Sequence, residues 1–210
     1  MKEPVDSEIF IAEQKRRLKD NPECATSYYN LGVALMNQGK LDEAMEAFRD
    51  AIENGSRMFE AYVNLGYIYY KKGDLEGVAE ANKRAVEIEP RYARGYSNLG
   101  FAYLQMQKTD DAIEALNKAI ELNPDIVQAW NNLINAYLQK GDMEKAVEVG
   151  KRLIEKAPNF GLGYNNLAVA YYYAGQYENA LIHIKRAIEN GFSPHPDFIR
   201  EVEEHLHNGS

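Results

Sequence analysis

Five asparagines recur at intervals of 34 residues: Asn30, Asn64, Asn98, Asn132 and Asn166, each followed by a leucine. A carboxamide carries one acceptor and two donors, the complement of the C=O and N–H of an extended backbone. Repeated at a fixed interval, such groups can hold another polypeptide by its main chain, whatever its side chains. Tyrosine is the second recurring chemistry. There are 15 tyrosines, all of them from Tyr28 to Tyr177, against 7 phenylalanines and one tryptophan. Tyrosine supplies large contact area at low entropic cost and is enriched at interfaces. Other chemistry is sparse. The histidines (His183, His195, His205, His207) lie toward the end of the sequence, and His205-x-His207 lacks the i, i+4 spacing of two metal ligands on one helix face. No Gly-rich phosphate loop, nucleophile elbow or His–acid constellation occurs. The expectation is a non-enzymatic chain with no metal and no cofactor.

Charge narrows the partner class. The chain has 210 residues with 24 basic and 32 acidic side chains, a formal net charge of −8. Such a surface repels phosphate backbones, which argues against a nucleic-acid partner. The run Lys15-Arg16-Arg17-Leu18-Lys19 is too short to reverse that balance, but it suits an acidic neighbour, including a second copy of the chain. Cys24 is the only cysteine, so neither a disulfide framework nor a cysteine zinc site is expected. The opening residues Met1 to Asp6 contain no apolar core of a secretory signal. No apolar run approaches the roughly 18 residues of a membrane span. Together these readings predict a cytoplasmic protein without membrane insertion.

The elements that must position the asparagines are helices. Tyr28, Tyr62, Tyr96, Trp130 and Tyr164 stand two residues before each asparagine. Leu35, Tyr69, Tyr103, Tyr137 and Tyr171 stand four residues after each leucine. Aromatic, leucine, small residue and aromatic at i, i+3, i+4 and i+7 form one stripe of an α-helix. A second helix in each unit carries Ala44, Val78, Ala112, Ala146 and Ala180 in register. Gly39, Gly73, Gly141 and Gly175 punctuate the join, and Pro90, Pro124 and Pro158 stop the second helix. Gly32, Gly66, Gly100 and Ala168 are predicted to let the paired helices approach closely. The fourth unit has Ile134 in that small slot and Gly150 where others carry a large residue, which predicts bulk moved from the second helix to the first. No period-two pattern appears, so the fold class is all-α. Before the repeats a helix is predicted from about Ser7 to Asp20, with Gln14 and Arg17 in slots normally apolar. After them, Phe198, Ile199, Val202 and Leu206 predict a capping helix.

This unit resembles the tetratricopeptide repeat, a 34-residue helix–turn–helix with the same aromatic, Leu-Gly, Tyr, Ala and Pro positions. The resemblance divides the chain into a first helix (1–24), five repeats (25–58, 59–92, 93–126, 127–160, 161–194) and a closing helix with tail (195–210). It implies a right-handed α-solenoid superhelix whose first helices line a concave groove, with positions 5, 6, 9, 12 and 13 of each unit facing it. Position 6 then holds the five asparagines, similar to the asparagine ladder in the repeat domain of O-linked N-acetylglucosamine transferase. Packed helices about 8–10 Å apart would let one asparagine meet an extended chain roughly every third residue. The other use of this position is a bond to the adjacent helix. The remaining groove candidates are Tyr29, Tyr67, Tyr70, Arg94, Phe101, Asn131, Asn135, Tyr172 and Tyr173. The Lys and Arg set that some members use to clamp a carboxylate is missing, because Tyr29, Val33 and Asn98 occupy its places. The resemblance therefore implies an adaptor that binds an extended peptide or partner segment, apolar or aromatic with some basic character. Two alternatives remain: a self-associating scaffold (a homo-oligomer), and a targeting or regulatory subunit of an enzyme system.

Overall fold

The computed structural model describes residues 4–208, which form twelve α-helices and no strand among the described residues. After α1 (Pro4–Asp20) come α2 (Ala25–Asn37) and α3 (Leu41–Asn54), then α4 (Phe59–Lys72) and α5 (Leu75–Ile88). Next are α6 (Ala93–Gln105), α7 (Thr109–Leu122), α8 (Val127–Lys140) and α9 (Met143–Lys156). The last are α10 (Gly161–Tyr173), α11 (Tyr177–Glu189) and α12 (Pro196–Asn208). The chain forms two compact units, one ending at Asn98 and the other beginning at Leu99, within α6.

In the first unit Leu31 and Leu35 of α2, Ala44, Phe48 and Ala51 of α3, and Ala61, Leu65 and Ile68 of α4 share one core with Ile11 of α1. The close approach comes from missing side chains. A Cβ added to Gly32 would stand 2.7 Å from Phe48 Cε1. In the second unit a Cβ at Gly100 would meet Leu116 Cγ at 2.5 Å. Each glycine is the socket for the large residue of its partner helix. In the fourth repeat Ile134 is fully buried, and Leu167 of the following repeat approaches Gly150, its Cδ1 2.8 Å from where a Cβ would be.

The first helix begins at Pro4 rather than near Ser7, since proline is tolerated in a first helical turn. Ile11 is buried against α2, and Gln38 Nε2 of α2's C-cap donates to Ser7 Oγ at 3.1 Å. Arg17 does not occupy an apolar slot: it points to solvent and pairs with Glu13 one turn earlier. Gln14 does occupy one. It is 2% exposed, and its Oε1 has no hydrogen-bond partner. An unpaired buried acceptor costs about 1–3 kcal/mol. Gln14→Leu is therefore expected to stabilise the seating of α1 by about 1–2 kcal/mol. Slower amide exchange in Ile11–Leu18 would show this; unchanged exchange would contradict it.

The joins between paired helices use left-handed backbone. Gly39, Gly73, Gly141 and Gly175 have φ of 76°, 74°, 81° and 71°. The third repeat puts Gln107 at the same turn with φ 59°. A side chain there costs about 1–2 kcal/mol, partly offset by the greater freedom of glycine in the unfolded chain. Gln107→Gly is expected to raise stability by about 0.5–1 kcal/mol, read as a melting point higher by roughly 1–4 °C.

Candidate functional site

Within the first unit, Asn30 on α2 and Asn64 on α4 are half-buried, and neither forms a hydrogen bond within the described residues. Asn98 on α6 is exposed but engaged: its Nδ2 donates to Asn82 Oδ1 at 3.2 Å. Asn82 occupies on α5 the socket that Phe48 and Leu116 fill in neighbouring repeats, and it is almost fully buried. Its own Nδ2 donates to Val78 O at 2.8 Å, and Gly66 makes room for it, with a Cβ there 2.7 Å from Nδ2. Asn98 is thus oriented by a buried amide of the preceding helix.

The aromatic candidates of this unit separate into two kinds. Tyr67 and Tyr70 on α4 are 47% and 54% exposed, and Lys71 Nζ lies 5.4 Å from the Tyr67 ring centroid. Tyr29 instead packs on the core, its ring 5.8 Å from Phe48. Arg94 is exposed at the start of α6, beside Tyr92. Burial pushes the Tyr92 phenol up, and the Arg94 charge opposes that shift.

The second unit gathers its carboxamides into a network. Asn166 Nδ2 on α10 donates to two acceptors on α8, Asn131 Oδ1 at 2.9 Å and Asn135 Oδ1 at 3.2 Å. Asn165 Nδ2 donates to Asn166 Oδ1 at 3.3 Å. Asn131 is 9% exposed, so it supports Asn166 more than it meets solvent. The amino groups of Asn131 and Asn135 and the carbonyl of Asn165 keep hydrogen-bonding capacity that the network does not use. Asn132 on α8 is half-buried and forms no hydrogen bond within the described residues. Phe101 on α6 is half-buried.

At the far side of this unit, Tyr172 and Tyr173 at the end of α10 join an aromatic group. Four rings surround Tyr172: Tyr173 at 5.3 Å, Tyr177 of α11 at 5.7 Å, and Phe198 and His205 of α12 at 5.6 Å and 5.5 Å. His205 also lies 4.6 Å from Tyr177, and its Nδ1 is 2.8 Å from the Glu201 carbonyl. Tyr173 is 63% exposed. Burial first, and then the Glu201 carboxylate, push the Tyr172 phenol above its ordinary value.

The groove set read from the sequence leaves out Asn82, Asn165, Tyr177 and His205, although Asn165 stands at groove position 5. The signal for Asn82 was present: a polar residue in a socket otherwise apolar, with Asn98 following on the next helix. The spacing predicts that α12 covers the last repeat, as Phe198 against Tyr172 does, but it does not single out His205.

The described residues contain no group of three or more His, Cys, Asp or Glu able to hold a metal ion. Burial lowers the His183 imidazole, which lies between Tyr164 and Tyr171 at 6.2 Å and 5.1 Å. Hydrogen bonding from Ser27 lowers the Cys24 thiol at the start of α2. Neither group has a partner arranged for proton or acyl transfer. No described helix is long and apolar enough to cross a membrane.

Comparison with known proteins bears on the family and the fold. Tetratricopeptide repeat family signatures match residues 25–54, 98–159 and 163–189, and a signature described as TPR repeat matches 66–107. Curated protein sequences give no match. Among solved structures, the chain is similar to YrrB, described as a TPR protein with an unusual peptide-binding site. That likeness has 21% identity and a TM-score of 0.79, covering 91% of this chain and 97% of YrrB. MamA is similar at 26% identity, with a TM-score of 0.76, over 83% of this chain and all (100%) of the MamA chain. A tetratricopeptide repeat protein from Parabacteroides merdae is 19% identical, with a TM-score of 0.70, over 97% of this chain and 82% of its own. All share the all-α helical-repeat fold seen here. The chain belongs to the tetratricopeptide repeat family.

Proposed function

We propose that this protein is a non-enzymatic interaction scaffold that holds an extended peptide segment against its first helices, gripping the segment's main chain with asparagine side chains. The observation that carries the reading is the state of Asn30, Asn64 and Asn132. Each is half-buried in mid-helix, and none has a hydrogen-bonding partner in its own chain. Asparagine is a poor helix former, so three such residues weaken the fold by about 2 kcal/mol relative to alanine. A backbone ligand would use what they leave open. Asn98 and Asn166 serve differently in this reading. Their amides are committed inside the molecule, and they contribute their remaining capacity from a fixed orientation. The exposed rings of Tyr67, Tyr70 and Tyr173 offer apolar contact beside the amides. The likeness to YrrB supports the reading through that protein's described peptide-binding site.

The test starts from a displayed library of random nonapeptides captured on the full chain. Selected peptides are then measured against the wild-type protein and against the Asn30, Asn64 and Asn132→Ala triple variant. Weaker binding by the variant, and weaker binding of peptides N-methylated along their backbone, are expected. Equal affinity for both proteins, with helicity intact, would overturn the proposal.

A further inference from the structure

Lysine or arginine caps aromatic faces among the described residues, as five pairs show. Lys71 covers Tyr67, Lys108 covers Tyr103, Lys145 covers Tyr137, Lys151 covers Tyr171 and Arg152 covers Trp130, at 5.4–6.0 Å from the ring centroids. The aromatic group around Tyr172 departs from this habit. It contains Tyr172, Tyr173, Tyr177, Phe198 and His205, yet no lysine or arginine of the described residues lies over any of these rings. Glu201 stands close enough to act on the Tyr172 phenol, and its helix α12 is acidic overall, with Asp197, Glu203 and Glu204 besides it against a single basic residue, Arg200, which pairs with Asp197. Glu201, Glu203 and Glu204 are exposed and form no ion pair among the described residues. The Tyr173 ring stands edge-on to Tyr172 at 73° with most of its surface in solvent.

Ring faces carry negative electrostatic potential and attract cations within about 6 Å, more strongly where a carboxylate adds its charge. We propose that the Tyr172–Tyr173–Tyr177–His205 group, with Glu201 at its edge, is a specificity pocket for a guanidinium or ammonium group on the bound segment. The inference rests on the peptide-binding reading above and adds the kind of side chain that the segment presents to the last repeat. The cation stacks on the Tyr173 face, and Glu201 neutralises it. Glu201 also positions the pocket through its backbone, because its carbonyl holds His205 in place one turn later. An acidic residue entering here would meet Glu201, so the pocket discriminates by charge as well as by shape.

A double-mutant cycle decides the matter. Nonapeptides selected on the full chain are expected to be enriched in Arg or Lys at one position. Replacing that arginine by citrulline, which keeps the shape and removes the charge, is expected to weaken binding at least tenfold. Against the Tyr173→Leu, Glu201→Gln variant, the arginine and citrulline peptides are expected to bind equally. Both substituted residues are exposed, so the helices remain intact, and circular dichroism checks this. If peptides are selected without basic enrichment, or if citrulline costs nothing on the wild-type protein, the pocket is overturned and the peptide-binding reading stands. If the arginine preference survives in the variant, the cation is read elsewhere and this assignment fails. If no peptide is captured, both readings fall.

Discussion

Replacing Asn30, Asn64 and Asn132 together by alanine is expected to weaken binding of a captured peptide on the order of 100-fold while making the protein more stable. The two effects have separate causes. A hydrogen bond to a peptide group contributes about 1 kcal/mol net. Three such bonds contribute roughly 3 kcal/mol, about two factors of ten in affinity. Helix propensity runs the other way. Alanine is better than asparagine in a helix by up to about 0.7 kcal/mol, so the triple variant gains about 2 kcal/mol. For a chain of this size that is roughly 4–8 °C in melting temperature. Half-buried asparagines with no partner in their own chain have nothing local to lose. A variant that binds poorly and melts higher would mark these residues as functional. A variant that melts lower would show that they bond within the fold. Asn98→Ala belongs to a different class, since it strips a donor from the buried Asn82, and a loss of stability is expected there.

Phe48→Ala has the largest expected effect on stability, a loss of about 3–5 kcal/mol. The ring is fully buried and sits in the socket left by Gly32, with Tyr29 packed 5.8 Å away. Removing it leaves a void at the closest approach of α2 and α3. The glycine cannot fill that void, and the paired helices cannot close further around it. Urea denaturation should show the midpoint falling with little change in slope. Amide exchange should rise first in α2, α3 and the facing side of α4, because repeat arrays are stabilised by nearest-neighbour contacts. A loss below about 1 kcal/mol would mean that the helices collapse onto the gap.

Much of this architecture could be read from spacing alone. The 34-residue period places the aromatic, leucine and small-residue stripe, and Gly32 against Phe48 is the contact that pattern implies. Proline and glycine punctuation marks the joins, since few residues tolerate a left-handed turn. In the fourth repeat Ile134 and Gly150 read as a reciprocal exchange, while the approach of Leu167 to Gly150 is a contact between units that a register table does not show. The first helix misled at Arg17 because a long side chain in a nominally inward slot can turn outward to a partner such as Glu13. The asparagines illustrate the limit most clearly. Five identical residues at one register position have two fates in the structure. Asn98 and Asn166 are bound inside the molecule, while Asn30, Asn64 and Asn132 are not. What separates them lies one helix away, in Asn82 and in Asn131 with Asn135.

The buried amide of Asn82 also limits how this protein can be rebuilt. Four repeats carry Phe48, Leu116, Gly150 or Ile184 in that socket, and none of these side chains can accept a hydrogen bond from the following asparagine. Modules of this kind are in principle interchangeable, but the second repeat is keyed to the third. Deleting the third repeat while keeping its neighbours would place Asn132 after Asn82, and only if its carboxamide took up the role of Asn98 would the joint close without an orphaned carbonyl. Grafting the second repeat onto an array lacking asparagine at position 6 would leave that carbonyl stranded in the interior. Growth by duplication is thus easier elsewhere in the chain than across this seam.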